Sequence, residues 1–206
     1  MTTEHSKADL TREKIMRCAI HEFAFQIYNK ASTNHIVAEA DVAKGLLFHY
    51  FPSKQKLYLA CLESVLQEIQ QPLNAFMQQM SPDIFSRLKD FLIWKHTLSR
   101  ENPLLFRFLM NIAKIPTDLR AKADDILTTW RKSNGQLMQD YDKDLWDPCV
   151  DQPDALAVIV LLFDAFDQRW LMQMDAVKPP DPQQSLNHAL RLLDVLKTGF
   201  YRKIEA

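Results

Sequence analysis

Apolar side chains recur along this chain at three- and four-residue intervals almost from end to end, the period of helices and not the alternation of strands. Ile15, Cys18, Ala19, Phe23 and Ile27 place a first helix over 7–28, and Ser6 with Asp9 three residues on resembles a capping box at its start. Two short helical patterns follow: one starting at Thr33 as N-cap and burying Ile36, Val37 and Ala40, the other starting at 43 or 44 and burying Leu47, with Phe51 closing it. Asp41-Val42 is the turn between them. Pro52 stops the second, and Ser53 caps a long helix with Leu57, Cys61, Leu62, Val65, Leu66 and Ile69 on one stripe, kinked at Pro72. Beyond Met80 the helices become long and aromatic-rich. One opens at Pro82, one at Asn102-Pro103, one spans 117–141 with Leu119, Ala123, Leu127 and Trp130 inward, and two close the chain over 154–176 and 182–203. The pattern predicts an all-α protein of about nine helices: a short-helix head, residues 1–52, and a long-helix body, 53–206.

Composition narrows the picture. Only three glycines occur, Gly45, Gly135 and Gly199, too few and too scattered for a GxGxxG or P-loop nucleotide motif or for the turns of a β-sandwich. Cys18, Cys61 and Cys149 lack metal-site or redox spacing and read as free thiols. The six histidines form no HxxxH or HExxH motif and show no carboxylate partner nearby, so no metal or other cofactor is expected. The N-terminus is polar and no apolar run reaches the length of a membrane span, which points to a cytoplasmic protein without a membrane role. The net charge of −1 carries no argument, but its distribution does. No acid lies between Asp41 and Glu63, while Lys44, His49, Lys54 and Lys56 do.

Two short helices joined by a tight turn form a helix-turn-helix, whose second helix enters the DNA major groove. Gly45 costs such a helix about 1 kcal/mol relative to alanine, and Lys44 sits at the end of the helix dipole that disfavours a cation. Close approach of the backbone to base edges, and a lysine aimed at bases or phosphate, account for both. For Phe51 the simpler reading is the aromatic floor of a three-helix unit; Phe48 suits floor and DNA face equally.

The run AKGLLFHYFPSK, preceded by STNHIVAEADV, resembles the DNA-binding head of tetracycline-repressor (TetR) family regulators over residues 10–60. Val37, Asp41 and Ala43 depart from the family's usual alanine, turn glycine and capping Ser or Thr. The resemblance implies a homodimer that binds palindromic double-stranded operator DNA as a repressor and is released by a small molecule. It implies that Thr33 caps the first short helix and touches a phosphate. Lys44, Gly45 and Leu46 would face bases, His49 and Tyr50 phosphate or sugar, and Lys54 a phosphate.

The body offers weaker signals. Leu156, Ile159, Phe163 and Phe166 with Leu190, Leu193, Leu196 and Phe200 give the last two helices more apolar positions than one pair needs, as a four-helix dimer seam would. Asp164 and Asp167 beside Phe163, Phe166 and Trp170 suit either a packed interface or a pocket for a cation, and Met110, Met172 and Met174 with Trp94 and Trp130 either core or an adaptable cavity. An apolar or amphipathic effector of unknown identity packed against Leu66, Phe91, Phe106, Met110, Trp130 and Phe163 would swing the helix after Ser53, the one continuous lever between head and body. No catalytic constellation appears, so an enzyme is not expected. The competing reading is an all-α enzyme or small-molecule-binding protein with no DNA role.

Overall fold

The computed structural model describes residues 7–174 and 181–202. The Ser6 cap and most of the connector before Pro182 lie outside them, as do the side chains of Asp167, Trp170, Met172 and Met174. Among the described residues there are nine α-helices: α1 (Lys7–Phe25), α2 (Thr33–Glu39), α3 (Lys44–Tyr50), α4 (Lys54–Met77), α5 (Ile84–Glu101), α6 (Pro103–Met110), α7 (Thr117–Asn134), α8 (Gln152–Met174) and α9 (Pro182–Phe200). None of them is long and apolar enough to cross a membrane.

Local chemistry explains most of the boundaries. Ser53 Oγ accepts from Lys56 N–H at 3.1 Å and starts α4. Asp83 accepts from Phe85 N–H at 3.1 Å and starts α5. Asp181 accepts from Gln183 N–H at 3.0 Å and starts α9, with Pro182 in its first turn. Two expected helices are shorter than their periodicity. The first ends at Phe25 instead of 28, because Arg107 Nε and Asn111 Nδ2 take the Ala24 carbonyl at 2.9 and 2.8 Å. The helix over 117–141 stops at Asn134 and continues as a 3-10 turn, Gly135–Met138. Gly135 weakens it there, and the buried Arg87 draws the Gln139 and Asp140 carbonyls at 2.5 and 3.1 Å, with Asp140 left-handed at φ 51°.

The chain forms two compact units, Met1–Gln71 with Glu101–Ser133, and Pro72–Arg100 with Asn134–Ala206. The expected division after residue 52 does not coincide with this one. In the first unit the stripe of α1 (Ile15, Ala19, Phe23) is buried together with Ile36, Leu47, Leu57, Leu62, Phe108 and Leu119, so the head shares its core with the first part of α4, with α6 and with α7. The second unit has its own core of Ile84, Phe85, Leu88, Trp146, Ile159, Ala189 and Leu193. There the end of α9 is tied down: Asp147 N–H donates to Phe200 C=O at 2.9 Å, and Arg202 N–H to Leu145 C=O at 3.2 Å.

Candidate DNA interface and effector groove

The turn between α2 and α3 is built by Asp41. Its φ of 49° is left-handed, a conformation Asp tolerates better than most residues, so the expected turn forms without glycine. Asp41 N–H donates to Ala38 C=O and Val42 N–H to Val37 C=O, both at 3.1 Å, closing α2 as a Schellman motif. The N-cap of α2 is Ser32 and not Thr33: Ser32 Oγ accepts from His35 N–H at 3.4 Å, and Thr33 is the first helical residue. α3 begins at Ala43 with no side-chain cap, as the missing Ser or Thr requires.

Leu47 and Phe51 are buried and anchor α3, so Phe51 is the aromatic floor. The opposite face carries Lys44, Gly45, Phe48 and His49, all exposed, flanked by half-buried Leu46 and Tyr50. Phe48, 37% exposed, belongs to this face and not to the floor, a position that spacing alone left open. A side chain at Gly45 would meet nothing within 4 Å, and φ there is not positive. The isolated fold therefore has no need of glycine at this position. Lys44 forms no hydrogen bond or ion pair with any described residue.

Lys54 is placed differently from the phosphate contact the resemblance implies. Its Nζ donates to Ala31 C=O at 2.5 Å and lies 4.6 Å from the Tyr28 ring centroid. Burial lowers its pKa, and the nearby Glu22 carboxylate opposes that. The side chain is a strut closing the α1–α2 loop; Lys56, one position beyond Gln55, stays exposed.

The expectation that no histidine has a carboxylate partner fails at His35. Glu22, 6% exposed on α1, accepts from Ser32 N–H at 2.8 Å and stands 2.5 Å from His35 Nδ1. That hydrogen bond, then the Glu22 charge, raises the His35 pKa. Glu22 thereby fastens the start of α2 to α1 across ten residues of chain, which local spacing does not reveal. His35 with Glu39, one helical turn on and 3.7 Å away, was legible as an i, i+4 pair. A second fastening holds the far end of α1: besides Ala24, Asn111 Nδ2 reaches the Phe23 carbonyl at 3.2 Å, and the Arg107 guanidinium lies over the Phe25 ring at 4.8 Å. α4 is thus not the sole link to the head, since α6 grips α1 directly.

Within the first unit, α4 and α7 enclose an open groove of about 520 Å³ lined by Glu63, Leu66, Gln67, Gln70, Asp125, Ile126, Thr129 and Trp130. The six residues expected to line one effector cavity do not gather. Leu66 and Trp130 line this groove; Phe106 and Met110 share the unit but are not in its lining; Phe91 and Phe163 lie in the second unit, stacked on each other at 6.3 Å.

The expected dimer seam also needs correction. Ile159 and Leu193 are fully buried in the second unit's own core, and Leu156, Phe163, Phe166, Leu190, Leu196 and Phe200 pack partly buried against it. Among the described residues the large apolar side chains left in solvent on these helices are Val158, Val160 and Leu161 on α8, the last 67% exposed, and Val195 on α9, 66% exposed. Val158, Leu161 and Ala165 fall on one stripe of α8, and Leu192, Val195 and Gly199 on one stripe of α9. As at Gly45, a side chain at Gly199 would meet nothing within 4 Å.

Residues 15–61, covering α2, α3 and the parts of α1 and α4 that brace them, match the domain of bacterial regulatory proteins of the tetR family. The HTH-type transcriptional regulator RutR of Escherichia coli is 29% identical over 145 residues, 64% of this chain and 68% of that protein. The transcriptional regulator AcuR of Cereibacter sphaeroides is 25% identical over 187 residues, 86% of this chain and 82% of that one. The fold is that of NalD, the secondary repressor of the MexAB-OprM multidrug efflux pump in Pseudomonas aeruginosa, with a TM-score of 0.69 at 19% identity over 95% of this chain and 98% of NalD. With a left-handed turn at Asp41 joining two short helices and an exposed Lys44-Gly45 face beyond it, the chain carries over residues 15–61 the domain of bacterial regulatory proteins of the tetR family.

Proposed function

We propose that this protein represses transcription by binding a palindromic operator as a homodimer, and that a small molecule in the body releases it. The observation that carries this reading is the outer face of α3. Lys44, Gly45, Phe48 and His49 are exposed, and Gly45 weakens a seven-residue helix without serving its packing. In the major groove the same face makes sense: the bare backbone at Gly45 approaches base edges, Lys44 donates to a guanine or a phosphate, and Phe48 offers apolar contact to a thymine methyl. Leu46 joins Lys44 and Gly45 toward the bases, and Thr33, His49 and Tyr50 serve as backbone-positioning contacts.

Dimerisation supplies the second half-site. The exposed stripes of α8 and α9 would form a four-helix seam across a two-fold axis, with Gly199 allowing close helix approach, and would set two copies of α3 about 34–36 Å apart or a multiple of that. The body reaches α1 through Arg107 and Asn111 and reaches α3 through the start of α4, so a ligand that shifts α6 or α4 changes that spacing.

Selection from a random duplex library, followed by binding of the selected operator, tests the reading. A Cβ at Gly45 meets nothing within 4 Å and the position is exposed, so Gly45→Leu should leave the melting temperature of the free protein unchanged while abolishing specific binding. A variant that binds the operator as the parent does would show that α3 docks in some other way.

A further inference from the structure

The groove between α4 and α7 has a definite chemistry. Its floor is apolar: Leu66 is buried, and Ile126 and Trp130 are half-buried. Its rim bears two exposed carboxylates, Glu63 on α4 and Asp125 on α7, and the lining adds the amides of Gln67 and Gln70 and the Thr129 hydroxyl. Among the described residues the lining includes no Lys, Arg or His. Neither carboxylate has an ion pair or side-chain hydrogen bond with any described residue. From Leu57 to Gln71, α4 carries no basic residue. On α7 the base one turn before Asp125 is Lys122, and its Nζ is committed to Gln55 Oε1 at 2.7 Å, a bond that also ties α7 to α4.

We infer that this groove binds an organic cation with an apolar body, and that such a cation is the effector. The inference rests on the regulatory reading above and names its ligand class. A groove of about 520 Å³ is of the size that holds a small ligand. The ligand's apolar part covers Leu66 and Ile126, its charge meets the Trp130 ring face and the two carboxylates, and the amides and hydroxyl orient its polar edges. An anion would meet the negative charges of Glu63 and Asp125. A neutral apolar molecule would desolvate both carboxylates with nothing in return. Charge thus selects the occupant, and because both carboxylates are exposed the selection weakens with salt.

The full-length protein is titrated calorimetrically with benzyltrimethylammonium and, in parallel, with phenylacetate and benzyl alcohol. The cation should bind saturably and in preference to the other two. Glu63→Gln and Asp125→Asn should each weaken it about three-fold, and together about ten-fold. All these substitutions are at exposed positions and keep the side-chain shape. Absence of saturable cation binding, equal binding of phenylacetate, or full affinity in the double variant would each overturn the inference. The selected operator duplex then separates the site from its role. Release of operator by the cation from the parent but not from the double variant supports both. Cation binding that depends on both carboxylates yet leaves operator affinity unchanged removes the effector role. Operator release that persists in the double variant overturns the groove while leaving ligand-released regulation intact.

Discussion

Replacing Glu22 with alanine should loosen the DNA-binding head in a way that depends on pH. The parent carboxylate is nearly buried and accepts from the Ser32 N–H at 2.8 Å while pairing with His35 Nδ1 at 2.5 Å. Losing a hydrogen bond to a charged acceptor and stranding its partly buried donor costs about 1.5–3 kcal/mol, which for a chain of this length lowers the melting temperature by about 5–10 °C. Glu22→Gln keeps an oxygen for Ser32 and removes only the charge, so it isolates the His35 contribution. The folded-state pKa of His35 is raised, by its bond to Glu22 first and by the Glu22 charge second. A raised pKa means that the protonated form is favoured by folding. The stabilisation is complete below the ordinary histidine value of about 6.5 and disappears as the pH climbs through the folded value. The gap in melting temperature between parent and Glu22→Gln should therefore be widest below about pH 6.5 and narrow as the pH rises through the raised folded value. Thermal melts by circular dichroism across that range, with His35→Gln in the Glu22→Gln background as a control, provide the measurement. A gap that does not change with pH, or Glu22→Ala melting with the parent, would refute the brace.

At the other end of α1, the double variant Arg107→Ala, Asn111→Ala strips the donors from the Phe23 and Ala24 carbonyls, with an expected loss of about 1–3 kcal/mol. Amide exchange in the last turn of α1 should accelerate, and unchanged exchange there would mean that α6 does not hold the helix. Burial would raise the Asp83 pKa, but bonds from Lys197, Tyr201 and Ser86 outweigh it and hold the carboxyl at about 2. Its depressed pKa stabilises the second unit above the ordinary aspartate value of about 4 and ceases to do so as the pH falls toward 2. The stability advantage of the parent over Asp83→Asn, followed by urea melts, should vanish over that interval; an advantage persisting at pH 2 would contradict the assignment.

Interactions spanning about one helical turn were open to reading along the chain. The three- and four-residue period located all nine helices, Ser53 and Pro103 marked two starts, Asp41 could take the left-handed turn, and Leu47 and Phe51 stood out as the buried side of α3. Each of these depends on a residue and others within about four positions, where helix geometry alone dictates which side chains and backbone groups meet. Tertiary structure decided everything that depends on which buried stripe meets which distant partner. It turned Lys54 inward onto Ala31, set Glu22 against the start of α2, and clamped the end of α1 with Arg107 and Asn111 from more than eighty residues away. Ile159 and Leu193 read as seam because periodicity records an apolar stripe without saying whether the chain itself or a second copy covers it. Their full burial in the second unit's core leaves Val158, Val160, Leu161 and Val195 as the apolar surface of these helices, among the described residues, still to be covered. The groove shows the same limit. Glu63 and Asp125 are unremarkable acids on two separate helices until packing sets those helices side by side over Leu66, Ile126 and Trp130 with no base among the described lining residues.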